Sequence, residues 1–426
     1  MNVLLIGHAC GPGMGSEPGF TWNWALYLSR HHRVCVLTHP QYRHKVDAFL
    51  EANPNPNVQF VWVTLDTWLD PWDPERGEGW IRLHYMLWIS KAYKTAQRLC
   101  EESEFHVAHH VSWSTVGAPP SFWRLPVPSV WGPIGGAQCV PLGFVSYFGR
   151  GRWFEIVRTC YVRLLRFSPV LRKAAKSSSL IFATNRDTKE LLSRVAGNKV
   201  HLFLDCGLPP DSVPADVPPV PSSEDFTLLW AGRLERRKAL SLALRALARG
   251  RQTRVTLLVA GSGALRPELE LLAGKLGLAN RVEFLGFIPY ESMQSVFRRA
   301  HAFLFTALRD SFGSVVLEAM AHALPIVTLD HQGVGTFVPD SAGIKVPVTT
   351  PRETIDSLAV AIDELSVSDP LRLVGMQLAS WNFAKSQTWD RRADRMTQIY
   401  EEVVSARAHG SDPVRANRSA ALDPGA

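Results

Sequence analysis

Two short segments in the second half of the chain, one with basic residues and one with a helix-start loop, each suit a phosphate ligand. In the first, Gly232 and Arg233 end an apolar run, and Lys238 lies near the start of the next helical segment. A guanidinium offers a planar fork to phosphate oxygens, and an ammonium adds a compact point charge. The pair therefore suits a diphosphate, although a solvated basic turn is the alternative because Arg236 and Arg237 lie between them.

The second segment runs from Asp310 to Glu318 and places two carboxylates about two helical turns apart. Its loop falls where a helix N-terminus exposes unpaired amide hydrogens, which makes it a phosphate site. The loop residues are Ser311, Phe312, Gly313 and Ser314. The alternative is a helix cap at Asp310 and a solvated Glu318, but the apolar neighbours of Glu318 argue against a solvated position.

Short apolar runs alternate with helix-length amphipathic segments, which predicts parallel sheets with crossover helices. In the first half the predicted strands are 3–7, 34–38, 58–63, 107–110, 127–131, 180–183 and 200–204. In the second half they are 226–231, 255–260, 282–285, 302–305 and 326–329, with helices over 239–248 and 315–323. The basic pair and the acidic segment therefore both follow strands, at the edge where open α/β sheets bind ligands.

The chain has 426 residues, of which 46% are hydrophobic, and this length predicts two domains. Six prolines between 209 and 221 mark a linker over 209–222. We therefore predict the α/β class, with two Rossmann-like domains, 1–208 and 223–385, facing each other across a cleft. A helix over 386–405 is expected to pack back on the N-terminal domain, and 406–426 is expected to be a disordered tail.

The first half offers candidates for the opposite wall of the cleft. A glycine-rich loop over 11–17, which includes Gly15, follows the first strand, and another over 131–136 ends the fifth. His109 and His110 end the fourth strand, where an imidazole could hydrogen-bond a sugar hydroxyl or a transferring proton. A structural role is the alternative for each histidine. Because neighbouring side chains on a strand point to opposite faces, only one can serve, and we favour His109.

Gly232-Arg233-Leu234 with Lys238, followed by Asp310-Ser311-Phe312-Gly313 and Leu317-Glu318-Ala319-Met320-Ala321, resembles the retaining glycosyltransferases of family 4, which have the GT-B fold. The resemblance implies that Arg233, Lys238 and the loop amides hold the donor diphosphate and that Glu318 binds the donor ribose. It also implies that a histidine after the fourth strand contacts the donor sugar. The family carries a glutamate where this chain has Asp310, near the transferred sugar.

The implied function is transfer of a sugar, with retention, from a nucleotide diphosphate sugar to a glycan, lipid-linked or small hydroxylated acceptor. The expected setting is the synthesis of cell-surface polysaccharide or glycoconjugates. The N-terminal domain would bind the acceptor and the C-terminal domain the nucleotide sugar. The predicted donor contacts also include Gly15, Gly261, Phe287 and Ile288. No cofactor and no metal is expected, and the sequence contains no Asp-x-Asp triplet.

Two other functions remain open at this point. A sugar-nucleotide epimerase of the same architecture would turn over the donor without an acceptor. A non-catalytic binding or scaffold protein could keep the fold, and Asp310 in place of the usual glutamate favours that alternative.

The net charge of +7 indicates an anionic partner. Residues 149–176 carry eight Arg or Lys against one Glu, interleaved with aromatic and aliphatic residues. Such a segment can contact an anionic membrane, and an ordinary domain helix with its apolar face in the core is the alternative. The basic residues lie in no motif that reads nucleic acid, so we expect no nucleic-acid partner.

Six scattered cysteines and a non-basic N-terminus favour a cytoplasmic protein, peripheral on the inner face of the plasma membrane.

Overall fold

The computed structural model describes residues 1–66, 70–72, 77, 79–113, 115–219, 221 and 225–409. Within these residues, thirteen strands form two parallel sheets whose strands are joined by helices. Most strands are buried Val, Leu and Ile segments, as parallel sheets covered by helices require. The predicted α/β class with two Rossmann-like halves is confirmed.

The N-terminal sheet has seven strands in the order β3-β2-β1-β4-β5-β6-β7. Their bounds are β1 Asn2–Ile6, β2 Arg33–Thr38, β3 Val58–Trp62, β4 Val107–His110, β5 Ser129–Ile134, β6 Leu180–Ala183 and β7 Val200–Leu202. The first three strands extend the sheet in one direction, and β4 then adds on the other side of β1. The carboxyl ends of β1 and β4 therefore flank a crevice.

Helices of the first half are α1 Ser16–Leu28, α2 Arg43–Ala52, α3 Ile81–Glu102, α4 Arg152–Leu165, α5 Pro169–Ser177 and α6 Arg186–Ala196. The starts of α5 and α6 are capped by Ser168 and Asn185, whose side chains accept backbone N–H bonds. The 3-10 segment Leu142–Gly151 precedes α4. Its Phe144 and Phe148 pack into the hydrophobic core of the C-terminal domain, so this segment joins the two halves.

The C-terminal sheet has six strands in the order β10-β9-β8-β11-β12-β13. Their bounds are β8 Phe226–Ala231, β9 Val255–Ala260, β10 Val282–Gly286, β11 Ala302–Phe305, β12 Ile326–Leu329 and β13 Gly343–Val346. Here the direction of strand addition reverses between β8 and β11. Sequence reasoning missed β13, because Ile344 and Val346 form too short an apolar pattern.

Helices of the second half are α7 Leu240–Arg249, α8 Arg266–Lys275, α9 Tyr290–Phe297, α10 Ser314–Ala321, α11 Gln332–Phe337, α12 Pro351–Ser366, α13 Pro370–Ser386 and α14 Trp389–Ala408. The start of α12 combines Pro351 in its first turn with a capping box between Thr350 and Glu353. The predicted helices 239–248 and 315–323 correspond to α7 and α10.

The chain passes between the two domains twice, and the two passages meet. The Leu208 N–H donates to the Gln387 carbonyl at 3.1 Å, and the Trp389 N–H donates to the Leu208 carbonyl at 2.8 Å. Beside them the buried Arg392 donates to the Leu204 carbonyl, and its guanidinium lies 4.6 Å from the Phe203 ring centroid. The crossing is thus tied by backbone hydrogen bonds and by one buried cation.

Helix α14 returns to the N-terminal sheet, where Met396 and Tyr400 share a core cluster with Val3 and Trp24. It continues to Ala408, so 406–408, which we predicted to be part of a disordered tail, are helical. The rest of that predicted tail, 410–426, lies outside the described residues. Among the helices that the structure describes, none combines the length and the apolar character needed to cross a bilayer.

Candidate functional site

The carboxyl ends of β8 and β11 bring the two sequence-predicted segments together. Gly232 follows β8 and has φ +152°, and its N–H donates to the Ala260 carbonyl at 3.0 Å. A Cβ on Gly261, which follows β9, would lie 1.9 Å from the Gly232 carbonyl oxygen. The glycine at 261, predicted as a donor contact, is therefore required by the packing of two strand ends.

Lys238 and Asp310 form an ion pair across the crevice between β8 and β11. The side chains are 11% and 18% exposed, and the Lys238 ammonium also lies 5.1 Å from the Phe305 ring centroid. Arg237 lies 3.6 Å from the same Asp310 carboxylate. The sequence placed both residues in one site, and the structure adds that Asp310 holds the Lys238 ammonium in position.

The ionisation of Asp310 follows from these neighbours. Burial on its own raises the pKa of the carboxyl, but the Lys238 ammonium, the Arg237 guanidinium and the Ser311 N–H outweigh it and hold the pKa below its ordinary value. The Ser311 N–H donates to Asp310 at 3.0 Å. Asp310 is therefore a carboxylate throughout the neutral range.

Gln332 fixes the loop that carries Asp310, and sequence reasoning missed it. Its side-chain oxygen accepts from the Asp310 N–H, and its side-chain nitrogen donates to the Leu308 carbonyl at 2.7 Å. An amide side chain at the start of α11 thus bridges two successive strand-end loops. No motif in the sequence signalled this contact, because it depends on the adjacency of β11 and β12.

Arg233 differs from Lys238 in its freedom to move. Its side chain is 71% exposed, and its nearest carboxylate is Glu235 at 3.4 Å. Such an exposed pair contributes little stability, so the guanidinium can turn toward a ligand at small cost.

The loop before α10 presents its backbone. The Phe312 side chain is fully buried in a core cluster, so this residue, predicted as a donor contact, can offer only its main chain. Gly313 has φ +91° and no side-chain cap, and a Cβ there would lie 2.9 Å from the Phe305 ring. Ser314 begins the helix and is exposed. The amide hydrogens at this helix start are available to an anion, as the sequence predicted.

Glu318 lies one turn into α10 and is partly buried. Burial raises the pKa of its carboxyl to about 7, although a hydrogen bond from Ser314 opposes this rise. Tyr290, at the start of α9, lies close enough for the Glu318 charge to raise the pKa of its phenol, after burial as the main cause. The carboxyl group therefore titrates near neutral pH.

Glu318→Gln is expected to stabilise the protein at neutral and alkaline pH. The folded protein holds the Glu318 proton more tightly than the unfolded chain does, so this residue costs stability increasingly as pH rises from about 4.5 to about 7. At about 1.4 kcal/mol per pKa unit, the gain above pH 7 is about 3–4 kcal/mol, and it disappears below pH 4.5. Urea unfolding of both proteins at several pH values measures it. An equal difference at all pH values would contradict the titration of Glu318.

Two further predicted contacts follow β10. The Phe287 side chain is 74% exposed, while Ile288 packs partly against the core. An aromatic ring exposed at the carboxyl end of a strand is available to stack on a planar ligand. Ile288 offers mainly its backbone.

The loop carrying Gly15 leads from β1 into α1, and it is open around Gly13 and Gly15. Phe20, in the first turns of α1, packs against a core cluster of the C-terminal domain. The loop therefore lies at the junction of the two domains, opposite the donor-side residues.

His109 does not lie at the cleft. It is fully buried, one ring nitrogen contacts the Tyr400 hydroxyl at 2.5 Å, and the other contacts the Gly132 carbonyl at 2.6 Å. Both nitrogens are thus used inside the N-terminal core, which excludes the predicted contact with a donor sugar. The prediction failed because helix α14, far away in sequence, covers that face of β4. His110, on the other face, is also buried and contacts Tyr85 at 3.1 Å.

Asp205 is a second residue that the sequence did not reveal. It is buried in the segment that follows β7 and accepts a hydrogen bond from the Ser311 side chain. Burial and the nearby Asp310 carboxylate raise its pKa to about 6. The loop before α10 therefore adjoins two carboxyl groups, Asp205 with a raised pKa and Asp310 with a lowered pKa.

The two walls are joined by direct contacts. Glu155 of α4 is buried and pairs with Arg309 at 3.0 Å, next to Asp310 in sequence. Arg158 of α4 donates to the Gly136 carbonyl at 3.0 Å and to the Gln138 carbonyl at 2.6 Å, which secures the loop after β5. Hydrogen bonds from α4 therefore hold the end of the predicted glycine loop over 131–136.

Residues 216–373 match the family model described as glycosyl transferases group 1. A D-inositol 3-phosphate glycosyltransferase of Thermobispora bispora is 31% identical over 202 residues, which cover 45% of this chain and 46% of that protein. An alpha-D-kanosaminyltransferase of Streptomyces kanamyceticus is 28% identical over 181 residues, which cover 41% of this chain and 45% of that protein. The chain thus spans less than half the length of these curated relatives.

Solved structures resemble nearly the whole chain at low identity. Sucrose-phosphate synthase from Thermosynechococcus elongatus has a TM-score of 0.64 at 18% identity, covering 95% of this chain and 99% of that one. HepE of Anabaena in complex with UDP-glucose has a TM-score of 0.57 at 19% identity, covering 95% and 100%. These likenesses establish the arrangement of the two domains.

Proposed function

Because residues 216–373 form a glycosyl transferases group 1 domain within a GT-B fold, we propose that this protein transfers a sugar from a nucleotide diphosphate sugar to a lipid-linked acceptor. The transfer retains the configuration at the anomeric carbon and serves the synthesis of cell-surface polysaccharide or glycoconjugates. One observation carries the proposal. Arg233 with Lys238 and the loop from Asp310 to Glu318 flank the same crevice, between β8 and β11, where the order of strand addition reverses.

The donor diphosphate occupies this crevice. Lys238 and Arg233 offset the negative charge that grows on the leaving diphosphate, and the amides at the start of α10 add fixed dipoles. Because these groups supply the compensation, the donor needs no divalent cation. Asp310 keeps the Lys238 ammonium in position until phosphate oxygens share it.

The nucleoside extends along the carboxyl ends of β9 and β10. Phe287 stacks on the base, and Glu318 accepts hydrogen bonds from the ribose. Because ionised Glu318 is the better acceptor, donor affinity rises as pH increases through about 7. The acceptor enters from the N-terminal domain beside the open loop around Gly15.

The lipid-linked acceptor and a peripheral place on an anionic membrane are supported by α4. Its inward side carries the polar Glu155, Arg158 and Thr159 together with the apolar Val162 and Leu165, whereas its outward side exposes further apolar residues. We call this outward side the aromatic face, and it comprises Trp153, Phe154, Val157, Tyr161 and Leu164. The alternative, an ordinary domain helix with its apolar face in the core, accounts for Val162 and Leu165 but leaves the aromatic face without a role.

Basic residues border the aromatic face, and an apolar hollow adjoins it. Those exposed along α4, α5 and their junction are Arg152, Arg163, Arg166, Arg172, Lys173 and Lys176. A cavity of about 520 Å³ lies between α3 and α4, lined by Met86, Ile89, Pro119, Tyr161 and Leu164 among others. Exposed aromatic residues beside lysine and arginine suit the headgroup region of an anionic bilayer. The hollow would take part of the acceptor's hydrocarbon chain.

Replacing Trp153, Val157 and Leu164 together by Ser is expected to lower binding to vesicles of anionic phospholipid at least tenfold. The three side chains are exposed, so their loss removes apolar contact with the bilayer and little folding energy. Co-sedimentation with vesicles measures the partition. Leu371→Ser, at an even more exposed apolar position on α13, is the control and should bind as the wild type does. Unchanged vesicle binding by the triple variant would contradict membrane contact through the aromatic face.

The proposed activity is tested with a panel of nucleotide diphosphate sugars and the purified protein. The matching donor at a hundred times its dissociation constant adds about 2.7 kcal/mol to stability, which raises the melting temperature. Adding membrane lipids that carry a glycan or hydroxyl acceptor should then release nucleoside diphosphate and yield a glycolipid. Turnover of the donor alone into an isomer would identify an epimerase. A folded protein that no nucleotide diphosphate stabilises at millimolar concentration would overturn the proposal.

A further inference from the structure

Three histidines and an aspartate meet at the carboxyl edge of the N-terminal sheet, apart from the donor crevice. His8 follows β1, His39 follows β2, Asp70 lies between β3 and α3, and His84 lies in the first turn of α3. They come from four separate places in the sequence. His8, His39 and His84 are all buried, and Asp70 is partly exposed.

The side chains form one compact cluster. The ring centroids of His8 and His84 are 5.1 Å apart, those of His39 and His84 are 5.0 Å apart, and Trp72 closes one side at 4.8 Å from His84. His84 Nδ1 lies 2.6 Å from the Asp70 carboxylate. Single ligand atoms of His39, Asp70 and His84 all lie within 4.8 Å of one another.

Two ring nitrogens in this cluster have no hydrogen-bond partner among the residues that the structure describes. The Nε2 atoms of His84 and His8 are both buried and unpaired, on side chains that are 0% and 1% exposed. A buried polar atom without a partner costs about 1–3 kcal/mol. Two such atoms on rings in contact are difficult to explain as packing, because Leu or Phe would fill the same space without that cost.

We propose that His39, Asp70 and His84 bind one Zn²⁺ ion, with His8 beside them as a further imidazole. Two imidazoles with one carboxylate are a ligand set of protein zinc sites, with Zn–N distances of about 2.0–2.1 Å. Ligand atoms within 4.8 Å of each other need only a small inward shift to surround one ion.

The proposed ion belongs to the N-terminal domain and is separate from donor binding. Its ligands lie after β2, in the segment before α3 and on α3, whereas the proposed diphosphate-binding charges lie after β8 and β11. The ion would fasten the loop after β2 to the start of α3. The inference is independent of the transferase activity, and its test needs no substrate.

The test begins with the full-length protein, stripped by a chelator and titrated with Zn²⁺ in a calorimeter. We expect one equivalent to bind and the melting temperature to rise with it. His39→Ala and His84→Ala should each weaken binding at least a hundredfold, and Asp70→Asn at least tenfold. His44→Ala, at an exposed position on α2 outside the cluster, is the matched control and should bind as the wild type does.

X-ray absorption at the zinc edge provides a test that does not depend on any variant folding. The loaded wild-type protein should show imidazole nitrogens at about 2.0 Å. Binding of Fe²⁺ but not Zn²⁺ under anaerobic conditions would overturn the choice of ion. Failure of the wild-type protein to bind Zn²⁺ at micromolar concentration, or equal binding by the cluster variants, would overturn the site.

Discussion

Lys238→Ala is expected to lower kcat/KM for sugar transfer about 100- to 1000-fold. The ammonium is largely shielded from water beside Phe305, and there its attraction for a developing negative charge is stronger than at an exposed site. Removing one preorganised group that stabilises such charge costs about 3–4 kcal/mol in other enzymes. Steady-state kinetics with the identified donor and acceptor measure the change.

The same substitution leaves Asp310 without its closest cation. A loss of stability of about 1–3 kcal/mol is therefore expected, with the fold preserved. Lys275→Ala, an exposed lysine of the same domain, is the control for the loss of one positive charge. Wild-type turnover by Lys238→Ala would mean that the diphosphate is held elsewhere in the protein.

Asp310→Asn is expected to lower kcat/KM about 10- to 100-fold. The amide has the shape of the carboxylate and can still accept from the Ser311 N–H, but it no longer offers a charge to Lys238 and Arg237. The Lys238 ammonium then loses its fixed position. Asp310→Glu restores the charge and the usual residue of the family, with a reach about 1.5 Å longer. It should therefore retain more activity than Asp310→Asn.

A double-mutant cycle separates the two roles. If Asp310 acts by positioning Lys238, Asp310→Asn should have little further effect in a Lys238→Ala background, and the coupling should reach about 1–3 kcal/mol. Full additivity would show that Asp310 acts on its own, for example on the transferred sugar. Tighter donor binding by Asp310→Asn would contradict positioning, since the ion pair would then compete with the phosphate.

The C-terminal half of the candidate site could be predicted because its residues are local in sequence. Each motif follows a strand directly, and parallel strands place all their carboxyl ends at one edge. Arg233, Lys238 and the loop before α10 therefore reached one crevice without knowledge of the tertiary structure. Phe312 is compatible with that prediction, which concerned the loop amides, because its side chain lies in the core while its main chain stays in the loop.

Predictions failed where a distant segment decides the environment. His109 ends a strand like a ligand-binding residue, but Tyr400 from the C-terminal helix takes one of its ring nitrogens. Asp205 reaches Ser311 only because the chain turns toward the C-terminal domain after β7. The cluster of His8, His39, Asp70 and His84 also has no recognisable spacing, since two strand ends, a loop and a helix start bring it together.

The paired crossing between the domains restricts how the cleft can open. Two independent linkers would permit bending, twisting and sliding, but here Leu208 is hydrogen-bonded to the returning chain at both Gln387 and Trp389. Two segments joined side by side bend together and resist twisting. Arg392 also ties the returning segment to the N-terminal domain through its hydrogen bond to the Leu204 carbonyl. The pairing at Leu208 therefore favours a joint bending of the two connections over a twist of one domain against the other. Such bending is expected to change the distance between the Asp310 loop and the Gly15 loop.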